Sequence, residues 1–598
     1  MANKSVLIGG RTINVKGRSS FDKSFLNALT TGVGTITPIF KKLVIPSSGR
    51  ITVPVHVELP PLATDAYLRS HLKLEAFYTP ARLLTGSFQS WFSGEEVYDA
   101  ATGQFGRAEL PCAFVPSYLV KDGDQTTTIG IVDSEINFCF GPSSLTDYFN
   151  VKFKISSGDT VVPFFDELPA FSDGVDDYTA RGCRLNLLPY LNYHLLFHHF
   201  YRNKSVQRPV FAPTPDSVPA SATSILHAYN IPFVCSLSKR DVLLGSSMET
   251  DTEGSDPLSS FIDVPASCIN DILLDGTSLF SLRQRNFGDD YFTAARPQAQ
   301  SGSPVTVQVD ADGKFSIASL RMQNALQEFA EVQGYATPDY VQTNLARYGV
   351  SVANAVCQKP VILGSADFPI FTKSVELNSN LDSGAALGSG NTRNPFANDG
   401  ILGAKAGSAS GNGTFSFDFD VKEVGYIMVM ATLVPEANYA TGIDHDMRIF
   451  VGSGDLTDLP CSLLEHVGDE PIMSSELYSS SAATTVFGYV QRYLWHKAGA
   501  GNQIHGLYRK GESLEAFIPQ REFTSTPQIS SAFLRVPTTA LDDVASVSSG
   551  ISNYGVQLDC AFNVHISEPL SESALPSLSD PAREHGREVY LSNGGSNL

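Results

Sequence analysis

The chain has 598 residues, 42% of them hydrophobic, 10% aromatic and only 17% charged, with 48 glycines, 34 prolines and a formal net charge of −20. It can bury a large core, its glycine and proline content favours many strands punctuated by turns over a helical protein, and its length leaves the number of domains open. The acidity argues against a surface that grips nucleic acid throughout, since lysine and arginine supply phosphate binding. No apolar run reaches the ~20 residues of a membrane span, and Met1 to Gly10 lack the apolar core of a signal peptide, so a soluble protein made in a cytoplasm and without a membrane partner is expected. The eight cysteines show no CxxC spacing and read as buried thiols rather than zinc ligands or a disulfide framework.

Residues 1–50 carry eight bases against Asp22 alone, a net +7 that leaves −27 on the remainder. Residues 1–40 mix glycine, serine and bases without sustained periodicity and read as a basic N-terminal arm lacking a core of its own. A solvated terminus and a DNA-neutralising arm carried by Lys4, Arg11, Lys16, Arg18 and Lys23 both fit it. Beyond it, Ile51, Val53, Val55 and Val57 alternate with other residue types, as do Leu72, Leu74, Ala76 and Tyr78, the period of two expected of half-buried strands. Pro54 suggests an edge or a bulge. Residues 95–182, rich in Gly, Asp, Ser and Thr, read as a loop insertion.

The strongest helical signal runs from Leu185 to Asn203. Asn186 can cap it, Pro189 falls in the first turn where its missing N–H costs little, and Leu188, Leu191, Leu195, Leu196 and Phe200 form an apolar stripe. His194 and His198 share a face at i and i+4, but no third ligand accompanies them, so packing or hydrogen-bonding histidines are preferred to a metal site. Residues 210–281 read as a second insertion; Asp241 to Leu282 holds eight acids and no lysine or arginine, which suits either a solvated loop or an outward-facing one that meets neighbours, cations or a host. Leu282 to Gln300 then packs Arg283, Arg285, Asp289, Asp290 and three aromatics into a short span ahead of Pro297, a loop by composition.

Val305 to Ile317 gives a hairpin signal around Asp310 to Gly313, and Ser319 to Gly334 an amphipathic helix. Residues 372–413, rich in Gly, Ser and Asn, read as a third long loop. They contain no Gly-Lys-Ser/Thr, and Ala409 stands where a nucleophile-elbow serine would sit, so neither a phosphate loop nor a catalytic nucleophile is supported and no cofactor is implied. Phe415, Phe417, Phe419 and Val421 alternate, Gly425 to Val434 is a continuous apolar strand suited to a sheet buried on both faces or to a subunit contact, and Val556 to Ile566 alternate as a last strand.

Several segments carry a family resemblance. Leu282-Arg283 with Asp290-Tyr291-Phe292-Thr293, Ala295, Pro297 and Gln298 resembles a Leu-Arg...Asp-Tyr-Phe-Thr-x-x-x-Pro-x-x-Gln segment of the major capsid proteins of microviruses, small icosahedral single-stranded DNA phages. So do Phe21 to Phe25 with Pro38-Ile39-Phe40, and Phe77 to Leu83 followed by Trp91. Leu188-Pro189-Tyr190 ending in Phe200-Tyr201-Arg202-Asn203 resembles the family's aromatic helix. Tyr340 to Val350, and Phe487-Gly488-Tyr489-Val490-Gln491-Arg492-Tyr493 with Ile504 to Arg509, are similar to further family motifs. The matches keep their order and span nearly the whole chain. After Gln298 the chain departs from the pattern: only Ala299 to Asp312 stand in place of a long variable insertion, leaving residues 210–281 to supply any surface protrusion.

The resemblance implies a mainly β protein, a single eight-stranded antiparallel jelly roll with long loop insertions and a few short helices, residues 1–598 forming one capsid domain. It implies pentamers within an icosahedral shell around circular single-stranded DNA, a basic arm facing inward, a small basic DNA-packaging protein, pilot and scaffolding proteins, and a host surface receptor. The expected place is the virion, assembled in a bacterial cytoplasm. The alternative is a jelly-roll carbohydrate-binding protein or glycoside hydrolase. Its candidate acids, Asp176-Asp177, Asp289-Asp290 and Asp542-Asp543, are sequence neighbours that point apart, whereas hydrolysis needs two carboxylates facing across ~5 to 10 Å. No catalytic residue is therefore assigned.

Overall fold

The computed structural model describes residues 18–84, 88–94, 143–150, 186–210, 359–377 and 404–448, most of 279–299 and 459–570, and the backbone of short strands and helical turns between them. Eight strands build the body: β1 (Phe25–Thr31), β2 (Thr35–Val44), β3 (Ser47–Glu58), β4 (Ser70–Pro80), β5 (Val361–Pro369), β6 (Ala404–Val421), β7 (Gly425–Pro435) and β8 (Val556–Glu568). One sheet runs β2-β7-β4-β5, with Arg283–Gln284 beside β2; the other runs β1-β8-β3-β6, with Phe371–Leu377 beside β6 and Ser19–Asp22 continuing β1 along β8. Pairing is antiparallel throughout both sheets. Successive strands change sheet at every step but β4 to β5, which is the doubled Greek key of a jelly roll.

Alternation in the sequence decides which side chains meet between the sheets. Ile51, Val53, Val55 and Val57 of β3, Phe415, Phe417 and Phe419 of β6, and Leu558, Cys560, Phe562, Val564 and Ile566 of β8 face Leu72, Leu74, Ala76 and Tyr78 of β4 in one continuous core. Phe25, Phe40 and Phe562 stack near its edge, with centroids 5.0 to 5.9 Å apart. β7 is buried along its whole length. Ile427, Val429, Ala431 and Leu433 enter the core, while Met428 and Met430 are covered on the opposite face, so this run of apolar residues is a strand buried on both sides.

Short helices decorate the sandwich. α1 (Phe88–Ser93) carries Trp91, as the strand-to-helix motif implies. α2 (Leu188–Leu196) continues as a π-helical turn, Phe197–Tyr201. Asn186 Oδ1 accepts from Leu188 N at 3.0 Å and Pro189 lies in the first turn. In place of a single apolar stripe, every residue of α2 is buried, because the helix lies between the outer face of the sheet and other parts of the chain.

Several expectations are corrected. The arm does not extend to residue 40: Ser19–Asp22 and β1 pair with β8, and β2 belongs to the opposite sheet. β1 is half exposed and lacks clean alternation, so composition concealed it. Nor are residues 372–413 one loop, since Phe371–Leu377 and the start of β6 are paired strands. Gly407 and Gly413 answer to close approach, not to turning: a Cβ on Gly407 would lie 1.9 Å from Thr64 O, and one on Gly413 2.1 Å from the Phe368 ring. Pro54 sits in an interior strand rather than at an edge. The β3–β8 pairing lapses there, between Val55↔Cys560 and Thr52↔Asn563, so its missing N–H leaves no bond broken. Cys560 is buried as expected, but Cys461 is exposed. The hairpin at 305–317, most of the helix at 319–334, the 340–350 motif, Asp176-Asp177 and most of 95–182 and 210–281 lie outside the described residues.

Phe562 is fully buried between two other rings. Phe562→Ala is expected to cost about 3–5 kcal/mol, read as a lowered denaturant midpoint of the subunit.

Candidate functional site

Leu282 to Gln300 leaves the sheet beside β2 and crosses to the outlying loops, and two polar networks form along it. Arg283 pairs with Ile36 of β2 and its backbone N–H donates to Tyr193 Oη at 2.8 Å; Tyr193 in turn donates to Ile36 O at 2.7 Å. Arg283 Nε donates to His194 Nδ1 at 3.0 Å, so His194 uses its Nε2–H on Leu279 O at 2.8 Å and is the neutral tautomer. The Arg283 guanidinium also lies over the Phe197 ring, 4.9 Å from its centroid. His198 accepts from Val210 N at 3.3 Å, and burial, reinforced by neighbouring cations, pushes it down to about 2. The two helical histidines therefore fasten chain segments; among the described residues no group of three potential ligands surrounds a metal position.

Arg285 forms a fork with Glu75 of β4, at 2.6 and 3.0 Å, and Tyr201 Oη donates to the same carboxylate. Burial and the Glu75 charge both push the Tyr201 hydroxyl well above its usual range, so it stays a donor. Asn286 and Gln207 exchange side-chain hydrogen bonds at 2.9 and 3.2 Å, and Arg202 Nη1 reaches Gln207 O at 3.0 Å. Leu188, Pro189 and Tyr190 are buried at the head of α2, with Tyr190 edge-on to Phe149.

Asp290 nucleates the next turn: its Oδ1 accepts from Phe292 N and Thr293 N at 2.9 and 2.7 Å, while Thr293 Oγ1 accepts from Asp290 N at 2.7 Å. Its other oxygen accepts from Tyr439 Oη at 2.7 Å. Asp542, from another of the acidic pairs, accepts from Ser552 N at 2.8 Å and from its hydroxyl at 2.6 Å. Both acids are engaged in local structure. Phe292 packs against Tyr439, and Arg521 Nη2 donates to Phe533 O at 2.6 Å with its guanidinium 4.4 Å from the Phe287 and Phe533 centroids.

Arg296 exchanges two backbone bonds with Tyr489, each 2.8 Å. A Cβ on Gly488 would meet Arg296 O at 3.0 Å and Ala295 Cβ at 3.1 Å, the reason for glycine in that motif. Phe487 packs on Phe533, Arg492 lies near the Tyr493 ring, and Tyr493, at φ 64°, donates its N–H to Glu470 Oε2 at 2.8 Å. Beside it a buried charge cluster forms. His445 Nδ1 lies 3.2 Å from Glu476 Oε2 and its Nε2 lies 3.4 Å from Glu470 Oε1. Arg448 pairs with Glu476, Tyr291 Oη donates to Glu476 at 3.1 Å, and the imidazole stacks on Trp495. Burial pulls His445 down, but the two carboxylates outweigh it and raise it to about 9.

The segment thus joins two motif regions that are distant in sequence, α2 on the sheet and Phe487 to Tyr493 in the outlying lobe. The arm residues are not gathered with them. Lys23 forms an ion pair with Glu568 at 2.7 Å and Arg18 donates to Ser48 at 3.3 Å, so both are engaged within the fold. Arg11 lies in a short strand whose backbone alone is described; Lys4 and Lys16 lie outside the described residues. Glu75, His445, Arg448, Glu470, Glu476 and Arg521 escaped sequence reading because each is an isolated polar residue; Glu75 reads as a solvent-facing position of an alternating strand, and only α2 reveals that it is covered.

The fold is a jelly roll with inserted segments fastened by buried ion pairs, and its family makes it a structural protein of the viral coat class, a capsid protein. The chain belongs to the phage capsid protein (F protein) family, whose model matches residues 174–578, more than half of the chain. It is similar to capsid protein VP1 of Chlamydia phage 1, 21% identical over 94% of this chain and 96% of that one. It is also similar to capsid protein VP1 of Spiroplasma virus 4, 22% identical over 44% of this chain and 46% of that one. Both relatives come from microviruses, as the motifs imply.

Two predictions follow from the networks. A histidine raised from its unfolded value of about 6.5 to about 9 contributes stability that is complete below pH 6.5 and lost as pH rises through 9. Thermal unfolding of the subunit is expected to fall over that window, and His445→Gln to be less stable but flatter across it. Glu75→Gln removes the charge partner of Arg285 and is expected to cost about 1.5–3 kcal/mol in urea unfolding.

Proposed function

We propose that many copies of this chain close as pentamers into an icosahedral shell around a circular single-stranded DNA genome. The observation that carries this reading is the capsid-family match over residues 174–578, which takes in β5 to β8 and the inserted lobe, together with the similarity to a phage capsid protein over 94% of the chain. Exposed apolar side chains support it: Trp91 and Phe92 of α1 and Leu43 at the end of β2 are about half exposed or more. Contacts between neighbours would bury such area, each modest enough for a misplaced copy to dissociate. The chain is then a component of the virion, assembled in a bacterial cytoplasm, and its work is tiling rather than turnover.

The net charge of −20 opposes DNA packing, so a small basic packaging protein is part of the proposal. Pilot and scaffolding proteins and a host surface receptor complete the partners that such a phage particle calls for. Residues 1–598 serve as one capsid domain, with insertions 95–182 and 210–281 presented at surfaces or contacts.

The test is sedimentation and negative-stain electron microscopy of the expressed chain, alone and with a basic packaging protein. Closed particles of uniform diameter are expected. A lone monomer at high concentration under every salt and pH, or turnover of a glycoside by the purified chain, would sink the proposal.

A further inference from the structure

β1 is an edge strand: among the described residues it pairs with β8 on one side only. A cleft of about 670 Å³ follows it, between the sheet edge, β2 and the turn at residues 143–150. Its apolar part is open, with Leu26 80% and Phe25 44% exposed, the latter ending the stack on Phe562. Glu58, Asp147 and Asp559 also line it. Lys41 is turned into the wall, donating to Phe149 O at 2.9 Å, and His56 is engaged by Asn412. Tyr148 Oη donates to Thr30 O and Ser143 Oγ meets Thr30 Oγ1, so the turn closes one end of the β1 edge; the cleft beside it offers apolar surface and carboxylates, which repels phosphate and suits a segment that is both apolar and basic.

The chain contains such a segment. Ser5–Ile8 and Arg11–Asn14 pair as an antiparallel hairpin with Ile8 opposite Arg11, and among the described residues its strands pair only with each other. A two-stranded hairpin alone is at best marginal in water, so it requires a surface. Residues 1–17 contain Lys4, Arg11 and Lys16, no acid, and Val6, Leu7, Ile8 and Ile13 within the hairpin. The segment's own chain enters the sheet at Ser19, opposite Glu568, whereas the cleft lies along 557–559 of β8, so its own hairpin would have to double back past β1.

We infer that the N-terminal hairpin of one copy docks in the cleft beside β1 of a neighbouring copy, laying its apolar residues on Leu26 and Phe25 and setting Lys4, Arg11 and Lys16 against Glu58 and Asp559. The inference rests on the shell reading, and it replaces the DNA-facing role of the arm with a contact between subunits.

The test separates the two readings by measuring docking without assembly. A fluorescent peptide of residues 1–17 is titrated against the chain lacking residues 2–17, at low salt. Saturable binding is expected, weakened at least tenfold by the pair Glu58→Lys and Asp559→Lys, and restored to that variant when the peptide carries Lys4→Glu, Arg11→Glu and Lys16→Glu. Circular dichroism of each variant establishes that it is folded, and Leu26→Asp, which leaves the core untouched, is a second cleft variant expected to weaken binding similarly. Absence of binding, binding indifferent to the cleft changes, or a peptide that binds single-stranded DNA but not the protein overturns the inference while leaving the shell standing. In particles, Thr12→Cys with Ala28→Cys is expected to link chain to chain; a link formed only within one chain overturns the assignment to a neighbour.

Discussion

Everything outside the sandwich depends on covering the outer face of the β2-β7-β4-β5 sheet. A jelly roll of this kind normally needs only its inner faces apolar, but β7 is apolar on both, and Met428 and Met430 have to be shielded from water. α2 and the Leu282 segment provide the cover. The cover is not apolar alone, because Glu75 projects into it from β4; the carboxylate is retained by the Arg285 fork and the Tyr201 hydroxyl. One ion pair therefore fixes the position of helix and segment on the sheet together, and the path of the segment fixes where the outlying lobe begins.

That lobe is organised on the same plan, by charge rather than by bulk. Its apolar cluster around Tyr291, Phe292, Tyr439, Phe487 and Phe533 is smaller than the sandwich core. The His445, Glu476, Glu470 and Arg448 group and the Arg521 guanidinium among its aromatic neighbours add directional contacts. Buried ion pairs contribute less to stability than apolar packing of the same volume, but removing one partner is costly, so they penalise alternative arrangements more than they favour the native one. A protein that has to present the same surface in every copy gains from such selectivity.

The sequence made the interior strands legible and obscured the edges. β3, β4, β7 and β8 follow period-two or continuous apolar patterns because both their neighbours and their burial are fixed. β1 and the start of β6 did not announce themselves: β1 exposes Leu26 and keeps Asn27 facing inward to Ile39 O, and β6 needs glycine where Thr64 and Phe368 press against it. Small residues that signal a loop by composition here signal crowding. The segment around Asp290 was recognisable as a unit, and its turn chemistry follows from Asp and Thr three apart. What it touches was not, since Glu75, Tyr439 and Glu476 stand hundreds of residues or many elements away and carry no local pattern.

The pairing of β1 with β8 has a consequence for how the molecule comes into being. Phe25 meets Phe562, so the first strand of the sandwich waits for β8, far along the chain, to be translated before its sheet can close. Until β8 has emerged, it is missing from the middle of that sheet and the partner edges of β1 and β3 stand open, a condition that slows folding and invites aggregation. Synthesis of β8 is thereby made the trigger for maturity: a product cut short before it lacks the strand that unites β1 with β3, and cannot mimic a finished building block.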